Sequence, residues 1–286
     1  IFCSIEMAVK SIYRLLLASL ALHASTSGTV TELIGTGHNW NVTWQAISGQ
    51  NDGTDGVSGE LDFVGDNSNP CLYTADDGSY IHFRMRLATA TAGASTFSGA
   101  HMILIDRVGY TVAGGTGTNT NGSLPDFAFS WDSKSNSAAA HGLEMSILST
   151  RSNTWNGINF NDLDTSNSSK GANDINGGGR SMDGYVRCVD SQATVNLGTT
   201  TFLEFAVSWN YLETYTPLAR GQQWLIGAAS IANATDHNNL NADIAGGATN
   251  SDPTTIGMTS IPEPGIVAIC TVCALCALVW RKRLST

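Results

Sequence analysis

An all-β fold, a single antiparallel β-sandwich of jelly-roll or immunoglobulin-like type, is what this sequence predicts, and three observations predict it. The apolar residues of the middle of the chain alternate with a period of two. Clusters of Gly, Asn, Asp and Ser separate the alternating runs, and no long stretch of 3.6-residue periodicity interrupts them. Charged residues make up only 13% of the chain, and Gly contributes 30 of 286 positions, a balance suited to strands and turns rather than helices.

The clearest run is Tyr80-Ile81-His82-Phe83-Arg84-Met85-Arg86-Leu87. It puts His82, Arg84 and Arg86 on one face and Ile81, Phe83, Met85 and Leu87 on the other, the pattern of a half-buried strand. His101 to Asp106, Asp126 to Trp131, Leu143 to Leu148, Tyr185 to Val189, Thr201 to Trp209 and Gln223 to Ala232 read the same way, enriched in β-branched and aromatic residues. Seven or more strands without a long helix indicate two packed sheets. Residues 93 to 99, 109 to 122 and 165 to 179 supply turn residues and no core, so they read as surface loops. Trp209-Asn210-Tyr211-Leu212 begins a short helical turn before Pro217.

The two ends differ from this body. From Met7 a basic region, Lys10 to Arg14, precedes the apolar run Leu15 to Leu22 and the small residues Ala24, Ser25 and Ser27. That is the order of a secretory signal helix over 1–24, with cleavage after Ala24. At the other end Ile261-Pro262-Glu263-Pro264 leads into sixteen mainly apolar residues, Gly265 to Trp280, and then Arg281-Lys282-Arg283. As a helix, 265–280 spans roughly 24 Å, short of a ~30 Å hydrocarbon core. The cationic cluster places its own side in the cytoplasm and the body outside. Both prolines oppose helix continuation, which leaves Pro262-Glu263-Pro264 extended. The domain plan is a signal peptide at 1–24, a β-sandwich ectodomain at 28–255 and a tail at 261–286.

This tail resembles the PEP-CTERM sorting signal of Gram-negative bacteria, which has the same Pro-Glu-Pro, short transmembrane helix and Arg-rich end in the same order. The resemblance implies export by the general secretion machinery and recognition by an exosortase. It also implies transient membrane anchoring, then transfer to the cell surface or extracellular matrix. Cys270, Cys273 and Cys276 depart from the usual Leu, Ala and Gly of that span.

Of the 24 acidic and 14 basic residues, all the acids but Glu6 and Glu263 fall between Gly28 and Ile261, and all the bases but Lys10, Arg14, Arg281, Lys282 and Arg283. The body therefore carries about −13, which excludes nucleic acid as a partner, because phosphate binding needs clustered cations. Only Cys71 and Cys188 belong to the body. In an oxidising compartment the two form a disulfide closing a loop of more than ~100 residues, worth up to about 4 to 5 kcal/mol on the chain-entropy argument, or else they stay as separate buried thiols.

No zinc-protease helix, nucleophile elbow, P-loop or dinucleotide fingerprint is present. A glycosidase needs two facing carboxylates, for which Glu144 and Glu204 are the mid-strand candidates. Oxygen ligands for calcium cluster as Asp106, Asp126 and Asp132 around one loop and as Asp162 and Asp164 on another. The second group follows part of an EF-hand spacing, with Asn167 in place of the sixth-position Gly and Asn173 in place of the last Glu. Exposed aromatics beside amides suit a glycan, and Trp155 with Asn153 and Asn156 is the candidate; Trp131, Trp209, Tyr211 and Trp224 read mostly as core. The six histidines are scattered, Asp236-His237-Asn238 having a loop-like, structural look. Arg84 and Arg86 have Asp62, Asp66, Asp76 and Asp77 as potential ion partners.

A second resemblance covers most of the body. Asp62-Phe63-Val64-Gly65-Asp66, Asn69-Pro70, Leu72-Tyr73 and the Tyr80–Arg86 run are similar to the opening of an uncharacterised class of bacterial surface domains. Ile103-Leu104-Ile105-Asp106, Asp126-Phe127-Ala128-Phe129 and Thr201 to Val207 with Leu212 are similar to core strands of family 9 carbohydrate-binding and DOMON-like sandwiches. This second resemblance supports a fold more than an activity; with the sorting tail, the expected function is a non-enzymatic structural or adhesive surface protein, with a carbohydrate-binding module for extracellular polysaccharide as the alternative and a secreted glycosidase behind it.

Overall fold

The computed structural model describes residues 30–47, 59, 61–66, 68–88, 99–108, 110, 125–132, 143–150, 158–162, 184–194, 199–232, 240, 242–245 and 259–260. Within them lie β1 (Val30–Ile34), β2 (Gln45–Ala46), β3 (Leu72–Asp76), β4 (Tyr80–Leu87), β5 (Gly99–Arg107), β6 (Phe127–Asp132) and β7 (Leu143–Thr150). These are followed by β8 (Asn159–Asp162), β9 (Gly184–Thr194), β10 (Thr199–Ser208), α1 (Trp209–Tyr215), β11 (Trp224–Ala232) and β12 (Thr259–Ser260). Two six-stranded sheets result, ordered β1-β9-β10-β4-β3-β2 and β12-β11-β5-β6-β7-β8. Every pairing is antiparallel, so the chain is an all-β sandwich.

Alternation builds the core as the sequence leads one to expect. From the first sheet Phe83, Met85, Leu87, Leu203, Phe205 and Val207 point inward, against Ile103, Ile105, Phe127, Phe129 and Ile226 from the second. The Phe83 and Phe129 rings meet across the gap at 5.6 Å. α1 plugs one end. Ser208 Oγ caps it by accepting from Tyr211 N, Trp209 packs on Trp224 at 5.4 Å, and the helix stops at Thr216, just before Pro217.

The second sheet also buries its outer face. Met102, Leu104, Phe160 and Ile231 pack there under Leu240 and Ile244. The segment 242–245 is fastened by Asp243, whose Oδ2 accepts from Phe63 N at 2.6 Å, and by Ser230 Oγ, which accepts from Asp243 N at 3.1 Å while donating to Leu61 O at 2.6 Å. At the rim a β-carbon on Gly99 would run into the Ile231 carbonyl oxygen and the Leu61 side chain. Because the obstacle is backbone of the paired strand, Gly99→Ala is expected to destabilise the fold by about 2 kcal/mol, measured by urea unfolding; an unchanged midpoint would mean that β5 and β11 separate freely there.

One expectation is overturned by the strand order. Cys71 adjoins Leu72, which pairs with Met85; Met85 pairs with Leu203, and Leu203 with Cys188. Three strand spacings, about 14 Å, separate the two positions, twice the ~7 Å that a disulfide spans. Both are buried free thiols, and burial pushes the Cys188 thiol well up, away from thiolate. β12 also lies beyond the expected body boundary at 255, pairing through Thr259 and Ser260 with Ile226 and Leu225. The segments 1–24 and 261–286, with the signal helix and the apolar run 265–280, fall outside the described residues.

Candidate functional site

β1 and β2 occupy opposite edges of the first sheet, yet only residues 35–44 join them. Five strand spacings amount to about 24 Å, and about ten residues reach at most ~35 Å, so this connection must cross the outer face of the sheet almost directly. Gly35 and Gly37, both at positive φ (70° and 79°), turn the chain from β1 onto that face. The result is a strap that lays His38, Trp40 and Trp44 over the sheet.

The register shows what lies beneath. One row runs Tyr185, Ala206, His82, Ala75 across β9, β10, β4 and β3; the next runs Arg187, Glu204, Arg84, Tyr73. Alanine on both sides of His82 leaves a hollow that the strap rings fill. His38 stacks on Tyr185 at 4.4 Å and meets Tyr80 and Trp40 edge-on at 4.7 and 4.8 Å. His82 is thereby fully buried, although it stands on the outward side of the sheet.

In the second row Glu204, wholly buried, is clamped by two arginines. Its Oε1 takes Arg84 Nε at 2.6 Å and Arg84 Nη2, and its Oε2 takes Arg187 Nε at 2.6 Å. The guanidinium of Arg84 lies between the rings of Trp44 (4.0 Å) and Phe202 (4.4 Å), and that of Arg187 faces Trp40 at 4.5 Å. Burial pushes the Arg84 guanidinium down, against the pull of Glu204. Arg86 bonds instead to Thr200 Oγ1 and the Tyr73 hydroxyl, at 3.2 and 3.0 Å. The carboxylate paired with Arg84 is thus Glu204 from the neighbouring strand, not Asp62, Asp66, Asp76 or Asp77.

Three metal-ligating side chains converge in the first row. His38 Nε2 and His82 Nε2 are 2.9 Å apart, and Asp77 Oδ2 is 3.8 Å from His82 Nε2. Asp77 belongs to the β3–β4 turn, where its other oxygen, Oδ1, accepts from Ser79 N (2.8 Å) and Tyr80 N (2.7 Å). One carboxylate oxygen is thus fixed by backbone while its partner faces the rings. Burial lowers the pKa of His82 to about 4 despite the Asp77 carboxylate, and His38 is also lowered by burial, so both rings are neutral at pH 7. Among the described residues this is the group of three such side chains able to hold one ion.

Of the oxygen ligands expected for calcium, Asp126 and Asp132 stand at opposite ends of β6. Asp126 Oδ2 accepts from Arg107 N at 3.2 Å at one end of β6, whereas Asp132 pairs with Ala100 at the other end, roughly 20 Å along the strand. Asp106, mostly buried, is the terminal neighbour of Ile105, which faces Phe127, and Asp162 pairs with Ser146 two strands from β5's partner face. Asp164, the glycan candidates Trp155, Asn153 and Asn156, the cleavage site Ala24 and the sorting residues Pro262, Glu263, Pro264, Arg281, Lys282 and Arg283 lie outside the described residues. Trp131, Trp209, Tyr211 and Trp224 are core, as expected. Glu144 and Glu204 stand on different sheets, in β7 and β10.

Sequence reasoning put His82 on the correct strand face but missed its partners. The usable signals were the aromatic spacing His38-Asn39-Trp40 with Trp44, and Asp77 placed in a Gly-containing turn five residues before His82. No family model, curated protein or solved structure matches the chain.

Proposed function

We propose that this chain is an exported surface or extracellular-matrix protein of a Gram-negative bacterium, with a structural or adhesive rather than catalytic role, sorted through its C-terminal tail by an exosortase. The observation that carries this reading is the order of that tail: Pro262-Glu263-Pro264, an apolar run too short for relaxed residence in a bilayer, and Arg281-Lys282-Arg283. The position of β12 supports it. Its last residue, Ser260, is followed in sequence by Ile261 alone before Pro262. The glycosidase reading is weakened because Glu204 is buried and held by two arginines.

The test is expression of the full chain in a Gram-negative host with an exosortase, followed by intact mass measurement of the envelope fraction. A species lacking both ends is expected, with no mass change on reduction because Cys71 and Cys188 form no disulfide. Deleting residues 262–286 is expected to abolish envelope delivery; delivery that continues unchanged overturns the proposal. Polysaccharide pull-down that is lost in Trp155→Ala would replace the structural role by carbohydrate binding.

A further inference from the structure

The geometry points to a divalent transition-metal site formed by His38, His82 and Asp77, at which a zinc-like ion ties the strap to the β3–β4 hairpin.

The donor set decides the metal class. Two imidazole nitrogens and one carboxylate oxygen suit Zn²⁺, Ni²⁺ or Cu²⁺, whereas Ca²⁺ and Mg²⁺ require shells made mainly of oxygen. The distances bring the three donors within reach of one ion. Two ligand nitrogens each ~2.05 Å from a metal stand about 2.9 Å apart at a right angle and about 3.3 Å apart in a tetrahedron. His38 Nε2 and His82 Nε2 are 2.9 Å apart, and the three donor atoms all lie within 4.8 Å of one another. The ring centroids are 5.2 Å apart, so the two nitrogens face each other head-on, and an ion requires each ring to turn by about 35° as the pair opens by a few tenths of an ångström and Asp77 shifts inward.

Asp77 and His38 have neighbours that hold them, and His82 is held by its strand, its Nδ1 buried without a hydrogen-bond partner. His82 is fixed on β4, wholly buried; Asp77 Oδ1 is tied to two backbone amides, which aims Oδ2 at the rings. Tyr185, Tyr80 and Trp40 hold the plane of His38. Such fixation of ligands by their neighbours is what gives protein metal sites their affinity. Binding replaces the hydrogen bond between the two Nε2 atoms, so each ring carries its proton on Nδ1. Asp77 is exposed, which leaves the fourth position on the outer side, open to water. Because the three ligands come from the strap, the turn and β4, metal affinity here is also stabilisation of the strap.

The test uses the full-length chain without an affinity tag of histidines, stripped with a chelator, then titrated with CoCl₂ by absorption and with ZnCl₂ by calorimetry. One equivalent is expected, with cobalt bands free of thiolate charge-transfer intensity, so that Cys270, Cys273 and Cys276 are not the ligands. Zinc at about 100 times Kd is expected to raise the melting temperature by roughly 5 to 10 °C, and CaCl₂ is expected to leave it unchanged. His38→Gln and Asp77→Asn, chosen because neither empties the buried ladder position of His82, are each expected to weaken zinc by about 100-fold or more while keeping the far-ultraviolet dichroism of the parent. Zinc affinity that survives in both variants, a thiolate cobalt spectrum, equal protection by calcium, or no binding at all would each overturn the assignment.

Discussion

Glu204→Gln is expected to lower the free energy of unfolding by about 3 to 5 kcal/mol, the range for stranding buried charges by removing one partner. The wild-type carboxylate is wholly buried, while the Arg84 and Arg187 side chains are 18% and 16% exposed. Water therefore cannot take over its role. The amide offers one acceptor and two donors where the site presents guanidinium donors from both sides, so a donor faces a donor and two cations repel under the strap. Arg84→Met in the same background removes one of the stranded charges and is expected to recover part of the loss, and that recovery separates burial of charge from damage to packing. Urea unfolding of the two single variants and the double variant measures all three. A loss below about 1 kcal/mol for Glu204→Gln would class the triad with exposed ion pairs, and the reasoning about burial would fail.

Acid is expected to unfold the metal-free protein through His82. Its folded pKa is about 4 against an ordinary 6.5, mainly because burial penalises the imidazolium. Between these values the unfolded chain holds the proton more tightly, so stability is complete above pH 6.5 and falls as pH drops through that window towards 4. The full shift corresponds to about 3 kcal/mol. His38, lowered by burial as well, acts in the same direction. The measurement is urea unfolding in chelator from about pH 7.5 to about pH 4.5, with His82→Gln as the control that cannot titrate. The parent is expected to lose stability more steeply than the variant; parallel curves would mean that water reaches His82 and the ring protonates in place.

Apart from β3, strands that lie between two others were readable from the sequence, and edge strands were not. Tyr80–Leu87, Thr201–Val207 and the run ending at Ala232 carry enough alternating residues to declare a buried face alone. β1, β2, β8 and β12 are short pieces at or near sheet margins whose extended form depends on a neighbour far along the chain. β3 escaped notice because Thr74 and Asp76 dilute its apolar side. The end of the Thr201–Trp209 run was misplaced by one residue, since Ser208 caps α1 and Trp209 begins it. Acidic residues near one another in sequence proved a poor guide: six residues of strand carry Asp126 and Asp132 to opposite ends, while 44 residues of chain bring His38 to His82. The pairing of Cys71 with Cys188 failed for the same reason, because only the order of strands places three spacings between them.

The crossing strap has a consequence for the time course of folding. β1 finds its partner β9 across about 160 residues of sequence, so the N-terminal strand can be seated only after nearly all of the first sheet exists. Synthesis delivers that strand well before its docking surface. The closing of residues 35–44 over Glu204, Arg84 and Arg187 therefore waits on β9 and β10, which carry the surface that the strap rings cover.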